Sequence, residues 1–268
     1  MILKILAAIT FVSALTALLG TEFLARILPC KSFVLCFVPV FLAVEALLAV
    51  AVFERRAPIF GPIFWKGAPG LNRIALTFDD GPNEPFTSRI ADILKEKQIR
   101  ATFFVAGRNC ERFPGSVKRL AEAGHEVGNH TWSHEVLPLK TPARIREEIA
   151  RTSARIEEET GKKPSLFRAP HGWRNPWVNR IARECGCAPV AWTLGVWDTD
   201  LPGVETIVRR TLEGVRDGCV LLLHDGRGIE CDADSGQLVR ALPVIVDELE
   251  RRGFTFVTLS EMMRAGPR

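Results

Sequence analysis

The chain predicts an α/β domain built on a parallel sheet, set behind an apolar N-terminal stretch. Two observations carry this. Past residue 71, short apolar runs alternate with longer amphipathic ones, and strand-then-helix repetition folds into a parallel sheet with helices outside it. Before residue 54, two runs are too apolar for a globular domain and have the composition of membrane segments.

In chain order, residues 5–20 carry no charge. They lie near the short limit for crossing a hydrocarbon core of about 30 Å, and Lys4 in front with small residues over 14–20 also suits a signal peptide. Residues 33–53 form a second apolar run, interrupted by Pro39 and Glu45 and long enough to span. One or two transmembrane helices are therefore expected over 1–53, with a two-helix hairpin preferred because cleavage after the first run would leave the second unexplained. Glu45 is expected to be protonated or paired with the neighbouring helix. Residues 54–70 combine Pro58, Pro62 and Pro69 with Phe60, Phe64 and Trp65, which suits a stiff linker whose rings sit at the headgroup level. The globular domain is expected over 71–263, large enough for one core.

Within it, β-rich runs at 73–78, 101–105, 126–128, 189–194, 219–223 and 254–258 alternate with amphipathic stretches at 87–97, 116–123, 142–160, 176–184, 204–216 and 237–252. The formal net charge of +4 is spread without a basic block, so nothing calls for nucleic acid. Seven cysteines show no zinc-ribbon spacing, and Cys185-Gly186-Cys187 is too tight for a redox pair. Free thiols are expected, which leans toward a reducing compartment.

The chemistry concentrates in two runs, Thr77-Phe78-Asp79-Asp80-Gly81-Pro82 and His130-Thr131-Trp132-Ser133-His134. Adjacent strand residues point to opposite faces, so two aspartates serve one site only where the strand breaks, and Gly81-Pro82 is the expected break. Two histidines four apart fall on one side of a helical turn and can grip one cation, with a carboxylate completing a three-ligand set open to water. In parallel sheets such sites collect at the carboxyl ends of the strands, where Asp79, Asp80, His130, Arg168, Asp198 and His224 all fall.

Taken in order, these motifs with Arg168-Ala169-Pro170-His171-Gly172 and Leu221-Leu222-Leu223-His224 resemble those of the polysaccharide deacetylase family, metal-dependent carbohydrate esterases sharing the NodB homology domain. The resemblance covers roughly 73–263. It implies a distorted (β/α) barrel of about seven parallel strands, and removal of an N-acetyl group from an amino sugar in a polysaccharide or lipid-linked glycan. It also implies that Asp80, His130 and His134 hold a divalent ion, most commonly Zn2+, with Co2+, Ni2+ or Mn2+ as other choices. Asp79 then matches the general base, Arg168 the residue that pairs with the base, His224 the general acid, and Leu222 the wall of the acyl-methyl pocket.

Elementary chemistry agrees with those roles. A carboxylate ligand weakens an ion's hold on the charge of its water, so a separate base is useful. An amine leaves an amide only when its nitrogen is protonated, and histidine is a suitable donor. A backbone N–H, expected at His171, would share the oxyanion.

Two departures stand out. The family usually has an aromatic residue, often tyrosine, where His171 stands, and this chain has no tyrosine. The family's Asp-x-x-Asp-Trp run, whose acid orients the catalytic histidine, is represented by Trp197-Asp198-Thr199-Asp200, with Gly195 at the first acid. Asp198 is the expected partner of His224, with Asp200 behind it. His125 is expected to be structural, and the tryptophans near the motifs to be packing residues. Two other functions remain open: a deformylase of a lipid-linked amino sugar, and an inactive sugar-binding membrane protein of the same fold. The intact acid, base, arginine and ligand set weigh against the last. Expected partners are the glycan and the membrane. Basic residues slightly favour both ends over the intervening loop, and with the free thiols this places the domain on the cytoplasmic face of the cell membrane.

Overall fold

The computed structural model describes residues 31–230 and 232–265. Helix α1 (Lys31–Phe53) leads into a 3-10 turn, Pro58–Phe60, and then an eight-stranded parallel sheet. Its strands are β1 (Arg73–Gly81), β2 (Thr102–Val105), β3 (Glu126–Asn129), β4 (Leu166–Phe167), β5 (Ala188–Pro189), β6 (Leu194–Gly195), β7 (Cys219–His224) and β8 (Thr255–Phe256). Seven lie in the order β5-β4-β3-β2-β1-β7-β6, and β8 pairs with β1 off that path. The sheet curls into a half-barrel whose edges are β5 and β6.

The connecting helices are α2 (Phe86–Glu96), α3 (Gly107–Arg112), α4 (Ser116–Glu122), α5 (Pro142–Thr160), α6 (Pro176–Glu184), α7 (Val204–Gly214), α8 (Gly236–Arg251) and α9 (Leu259–Arg264). α5 and α6 begin at the predicted residues because Thr141 and Asn175 cap them and proline follows each cap. The predicted single strand over 189–194 is two, β5 and β6, on opposite edges of the sheet; a run this short gives no sign that the chain crosses the barrel within it. β4, α3 and α9 were not predicted, each being too short for its periodicity to register.

β1 organises the interior. Ile74, Leu76 and Phe78 point outward into the main core with Ile90, Leu94 and Ile245. Alternation turns Ala75, Thr77 and Asp79 inward, with Ala75 in a second cluster at the barrel floor beside Phe104, Val220 and Met262. Thr77 lies above that floor, and Asp79 stands at the mouth.

The structure gives the expectation of one or two membrane-spanning helices no support: among the described residues, no helix is long and apolar enough to cross a membrane. The run 5–20 lies outside the described residues. The run 33–53 falls in α1, whose side chains are described from Pro39 to Phe53.

The stretch 54–70, expected as a linker with rings at headgroup level, is bonded to the domain instead. Phe64 bridges Val190 and Lys66 bridges Cys219. Thr193 Oγ1 donates to Trp65 O, and Arg183 donates to Pro62 O. Phe64 packs in the barrel-floor cluster.

Candidate active site

The two aspartates share one site because the strand irregularity falls at Asp80 itself. The pairing of β1 with β2 shifts register between Asp79 and Gly81, and Asp80 has φ +76°. A left-handed residue inside a strand turns its side chain to the same side as its neighbour's. The expected break at Gly81-Pro82 is thus one residue late. Gly81 serves close packing, since a Cβ there would lie 2.0 Å from Asp225 Oδ2.

The histidines also differ from expectation. Residues 130–134 form no helix; Thr131 and His134 have φ +69° and +54°, and this doubled bend brings the rings together. Buried Glu148 holds the loop, accepting from Ser133 N–H and Ser133 Oγ at 2.8 Å each. Sequence reasoning missed Glu148. Its signal was present: a carboxylate on the buried face of α5 with Ile145, Ile149, Thr152 and Ile156, a place where a charge needs partners. Asn109 was missed too; its Nδ2 donates 2.7 Å to Asp80 O and fixes the bulge.

Asp80, His130 and His134 offer one ligand atom each, all within 4.8 Å of one another. Asp80 Oδ1 lies 3.3 Å from His130 Nε2 and 3.1 Å from His134 Nε2. Donors bound at about 2.0–2.1 Å around a tetrahedral ion stand roughly 3.3–3.4 Å apart, so the spacing fits. Chemistry supports the same fit. His130 Nδ1 is 2.8 Å from Arg168 O; a carbonyl only accepts, so Nδ1 carries the proton and Nε2 presents its lone pair inward. Asp80 Oδ1 is buried with no hydrogen-bond partner. Burial alone would raise the Asp80 carboxyl, but the His134 and His130 imidazoles outweigh it and hold it well below the ordinary range.

Asp79 is held separately. Arg168, fully buried, donates Nη1 to Asp79 Oδ1 at 2.7 Å and to Thr77 Oγ1 at 2.8 Å, and Nη2 to Ala191 O at 3.1 Å. Its guanidinium lies 4.2 Å over the Phe104 ring. Asp79 Oδ2 faces the histidines, 3.8 Å from His130 Nε2.

The β1–β7 register sets Asp79 opposite His224. His224 Nδ1 is 2.9 Å from Asp198 Oδ1, and its backbone N–H donates 2.8 Å to Asp198 Oδ2. Burial opposes the imidazolium charge, but the Asp198 carboxylate overcomes it, with smaller help from Asp80 and Asp79, and pushes His224 up to about 9. Asp200 makes no such contact; its N–H closes a turn onto Trp197 O. Leu222, two residues before His224, shares its face and is nearly buried.

His171 stands at the rim with φ +59°. Its ring packs edge-on to His134, 4.8 Å between centroids, and Trp173 follows at 5.0 Å. Its backbone N–H donates to no acceptor among the described residues. Burial, then the His134 charge, lowers its imidazole to about 4. His125 lies away from this cluster, its Nδ1 accepting from Ala101 N–H at 3.2 Å.

A family model described as polysaccharide deacetylase matches residues 66–190. A peptidoglycan-N-acetylglucosamine deacetylase of Bacillus cereus is 36% identical over 209 residues, covering 76% of this chain and 94% of that protein. The chain belongs to the polysaccharide deacetylase family. A chitooligosaccharide deacetylase of Bradyrhizobium sp. is 35% identical over 200 residues, covering 72% of this chain and 91% of its own. A solved peptidoglycan N-acetylglucosamine deacetylase, in complex with 4-naphthalen-1-yl-N-oxidanyl-benzamide, superposes with a TM-score of 0.71 at 34% identity, over 75% of this chain and 92% of that one. The chain is accordingly a polysaccharide deacetylase-like hydrolase of non-peptide carbon–nitrogen bonds. The model match ends at residue 190, before Asp198 and His224, so their place in the site rests on the geometry above.

Proposed function

We propose that this deacetylase removes the N-acetyl group from an amino sugar in a glycan, using a divalent transition ion, and that its N-terminal apolar segments attach it to the cell membrane with the catalytic domain on the cytoplasmic face. The observation that carries the chemistry is the juxtaposition of an Asp–His–His ligand set with a separately held carboxylate and a raised-pKa histidine on the adjacent strand. An ion held by Asp80, His130 and His134 would polarise the acyl oxygen and acidify water, with zinc the best match to one oxygen and two nitrogen ligands.

The chain's own groups do the rest. Asp79 takes the proton of the attacking water on Oδ2, since Oδ1 is occupied by Arg168. Arg168 and Thr77 keep that carboxylate aimed at the mouth. As the carbonyl becomes tetrahedral, the free His171 N–H donates to the developing oxyanion, an interaction worth about 3–4 kcal/mol in comparable sites. His224 enters the reaction charged, Asp198 holds its Nδ1, and Nε2 delivers a proton to the departing nitrogen. The C–N bond breaks, and amine and acetate leave. Leu222 walls the acyl methyl.

The relatives act, by their names, on peptidoglycan and chitooligosaccharide, which supports an N-acetylglucosamine unit. The test is incubation of metal-loaded protein with N-acetylated and N-formylated amino-sugar glycans, with released acid and amine followed by mass spectrometry. Formate release exceeding acetate release would replace the deacetylase reading by a deformylase, and release of neither would replace it by sugar binding. For the orientation, a reporter active only outside the cytoplasm, fused after Arg268, is expected to stay dark.

A further inference from the structure

Beyond α1, four of the seven exposed large apolar side chains follow the carboxyl ends of strands, while Leu71 precedes β1 and Val244 lies on α8. Leu139, 81% exposed, follows β3; Trp177 follows β4; Trp197, 54% exposed, and Leu201 follow β6. In a parallel sheet, loops after strands gather on one face, here the face that carries the active-site mouth. Exposed Ile59 lies beside the helix exit.

The end of α1 is tied to that face through Arg174 and Trp173, and the residues after it run along the open edge between β5 and β6. Arg174 N–H donates to Val52 O at 3.1 Å, and Arg174 Nη2 donates to Glu54 O at 2.7 Å. Arg55 Nε donates to Trp192 O, and Arg56 Nη2 to Thr193 O. These carbonyls directly follow Ala191 O, the acceptor of Arg168. The Phe53 ring meets Trp173 edge-on at 5.2 Å, Trp173 meets His171, and His171 meets His134. A run of four rings thus joins the helix end to a metal-ligand candidate. Ala51 is already buried in the domain. Gly172 is confined between the Trp192 ring and Arg55, where a Cβ would lie 2.8 Å and 3.2 Å from them.

Above the exit, α1 leaves Val40, Leu42, Val44, Leu47, Leu48 and Val50 exposed. At 100° per residue these positions spread over about 240° of the circumference and leave the side of Phe41, Glu45 and Ala49 less exposed. A second copy or one partner helix would cover only part of so wide an arc; lipid covers the whole of it. The thirty residues before α1 include another uncharged apolar run at 5–20, and Arg55 and Arg56 lie at the exit, where headgroup phosphates would be.

We infer that the mouth of this active site is held against the lipid surface by the docked end of α1 and the apolar rim of Leu139, Trp177, Trp197 and Leu201, and that its substrate is an N-acetyl amino sugar carried on a membrane lipid. This rests on the hydrolase and membrane readings above. Because 52–57 are bonded to the domain, the mouth cannot swing outward as on a flexible tether. A sugar one or two units from a lipid phosphate reaches it; a soluble oligosaccharide gains nothing from the rim.

The experiment uses the full metal-loaded chain in phosphatidylethanolamine–phosphatidylglycerol vesicles, with two substrates in parallel: N-acetylglucosamine on a polyprenyl phosphate in the same vesicles, and water-soluble N-acetylchitotetraose. Amine release by mass spectrometry is expected to show at least tenfold higher kcat/KM on the lipid-borne sugar. Leu139→Ser combined with Trp177→Ser, neither residue belonging to the catalytic groups, is expected to keep the soluble rate within twofold and to lose at least fivefold on the lipid-borne one. Equal or better hydrolysis of the soluble tetramer by the wild type overturns the lipid inference and leaves the hydrolase reading standing. Parallel loss on both substrates in the double variant, or a stable α1-mediated dimer without lipid preference, also overturns it. Hydrolysis of neither substrate overturns the underlying reading and the inference together.

Discussion

Replacing Asp198 by asparagine tests the acid half of the site with little change of shape. Asparagine keeps an oxygen for His224 Nδ1 and removes the charge. Moving an imidazole from 6.5 to about 9 corresponds to about 3 kcal/mol of preference for the charged ring. Without the carboxylate, burial is the leading influence and acts in the opposite direction, so the pKa of the variant falls to the ordinary imidazole value or below. A general acid must be protonated, so activity is lost as pH rises through its pKa. The basic limb of kcat/KM should therefore move down by about two pH units or more. At pH 8 the protonated fraction drops from about 90% to about 3%, a loss of about 30-fold before any misorientation is counted. An ion at the Asp80 site lowers both limbs alike through its positive charge, so the displacement between the two profiles is the observable. A basic limb at the wild-type position in Asp198→Asn would refute the acid role of His224 or its coupling to Asp198.

The other predictions concern the base, the ion and a buried acid. Asp79→Asn should retain bound metal by elemental analysis and lose about two to four powers of ten in turnover; near-wild-type turnover would remove Asp79 from the mechanism. Asp80→Ala, His130→Ala and His134→Ala should each lose metal and activity together, whereas full activity after chelation verified metal-free would end the metal proposal. Asp225 is fully buried, its Oδ2 accepting from Thr87 Oγ1 at 2.5 Å, and burial, aided by the Asp80 and Asp79 charges, pushes it up to about 7. Its folded pKa lies above its unfolded one, so the folded state binds the extra proton between about pH 4 and 7 and stability falls as pH rises through that window, by an order of 4 kcal/mol from this group. Denaturant titrations of the metal-free protein across that range should show the decline, and Asp225→Asn should flatten it; equal slopes would contradict the assignment.

Much was legible along the chain because it depends on near neighbours. Alternating periodicity determined an α/β parallel sheet, since burial of one face per element repeats at fixed spacing. The caps and prolines at Thr141-Pro142 and Asn175-Pro176 determined two helix starts. The motif order pointed to the residues that the fold gathers at one mouth, because parallel strands all end on the same side.

Tertiary structure decided the rest, wherever the deciding contact joins residues far apart. Whether 189–194 is one strand or two depends on edges that only the curled sheet defines. Asp80 turns toward Asp79 because β1 shifts its pairing against β2, with Asn109 holding the bulge. The His130 to His134 loop owes its shape to Glu148 on a separate helix. Asp198, the expected partner, rather than Asp200 reaches His224 because the turn after β6 aims it at the end of β7. The docking of α1 beside the mouth is the clearest case. Its apolar composition was plain, but its direction was set by Arg174, Trp173 and Trp192, more than a hundred residues further on, whose backbone and rings receive it.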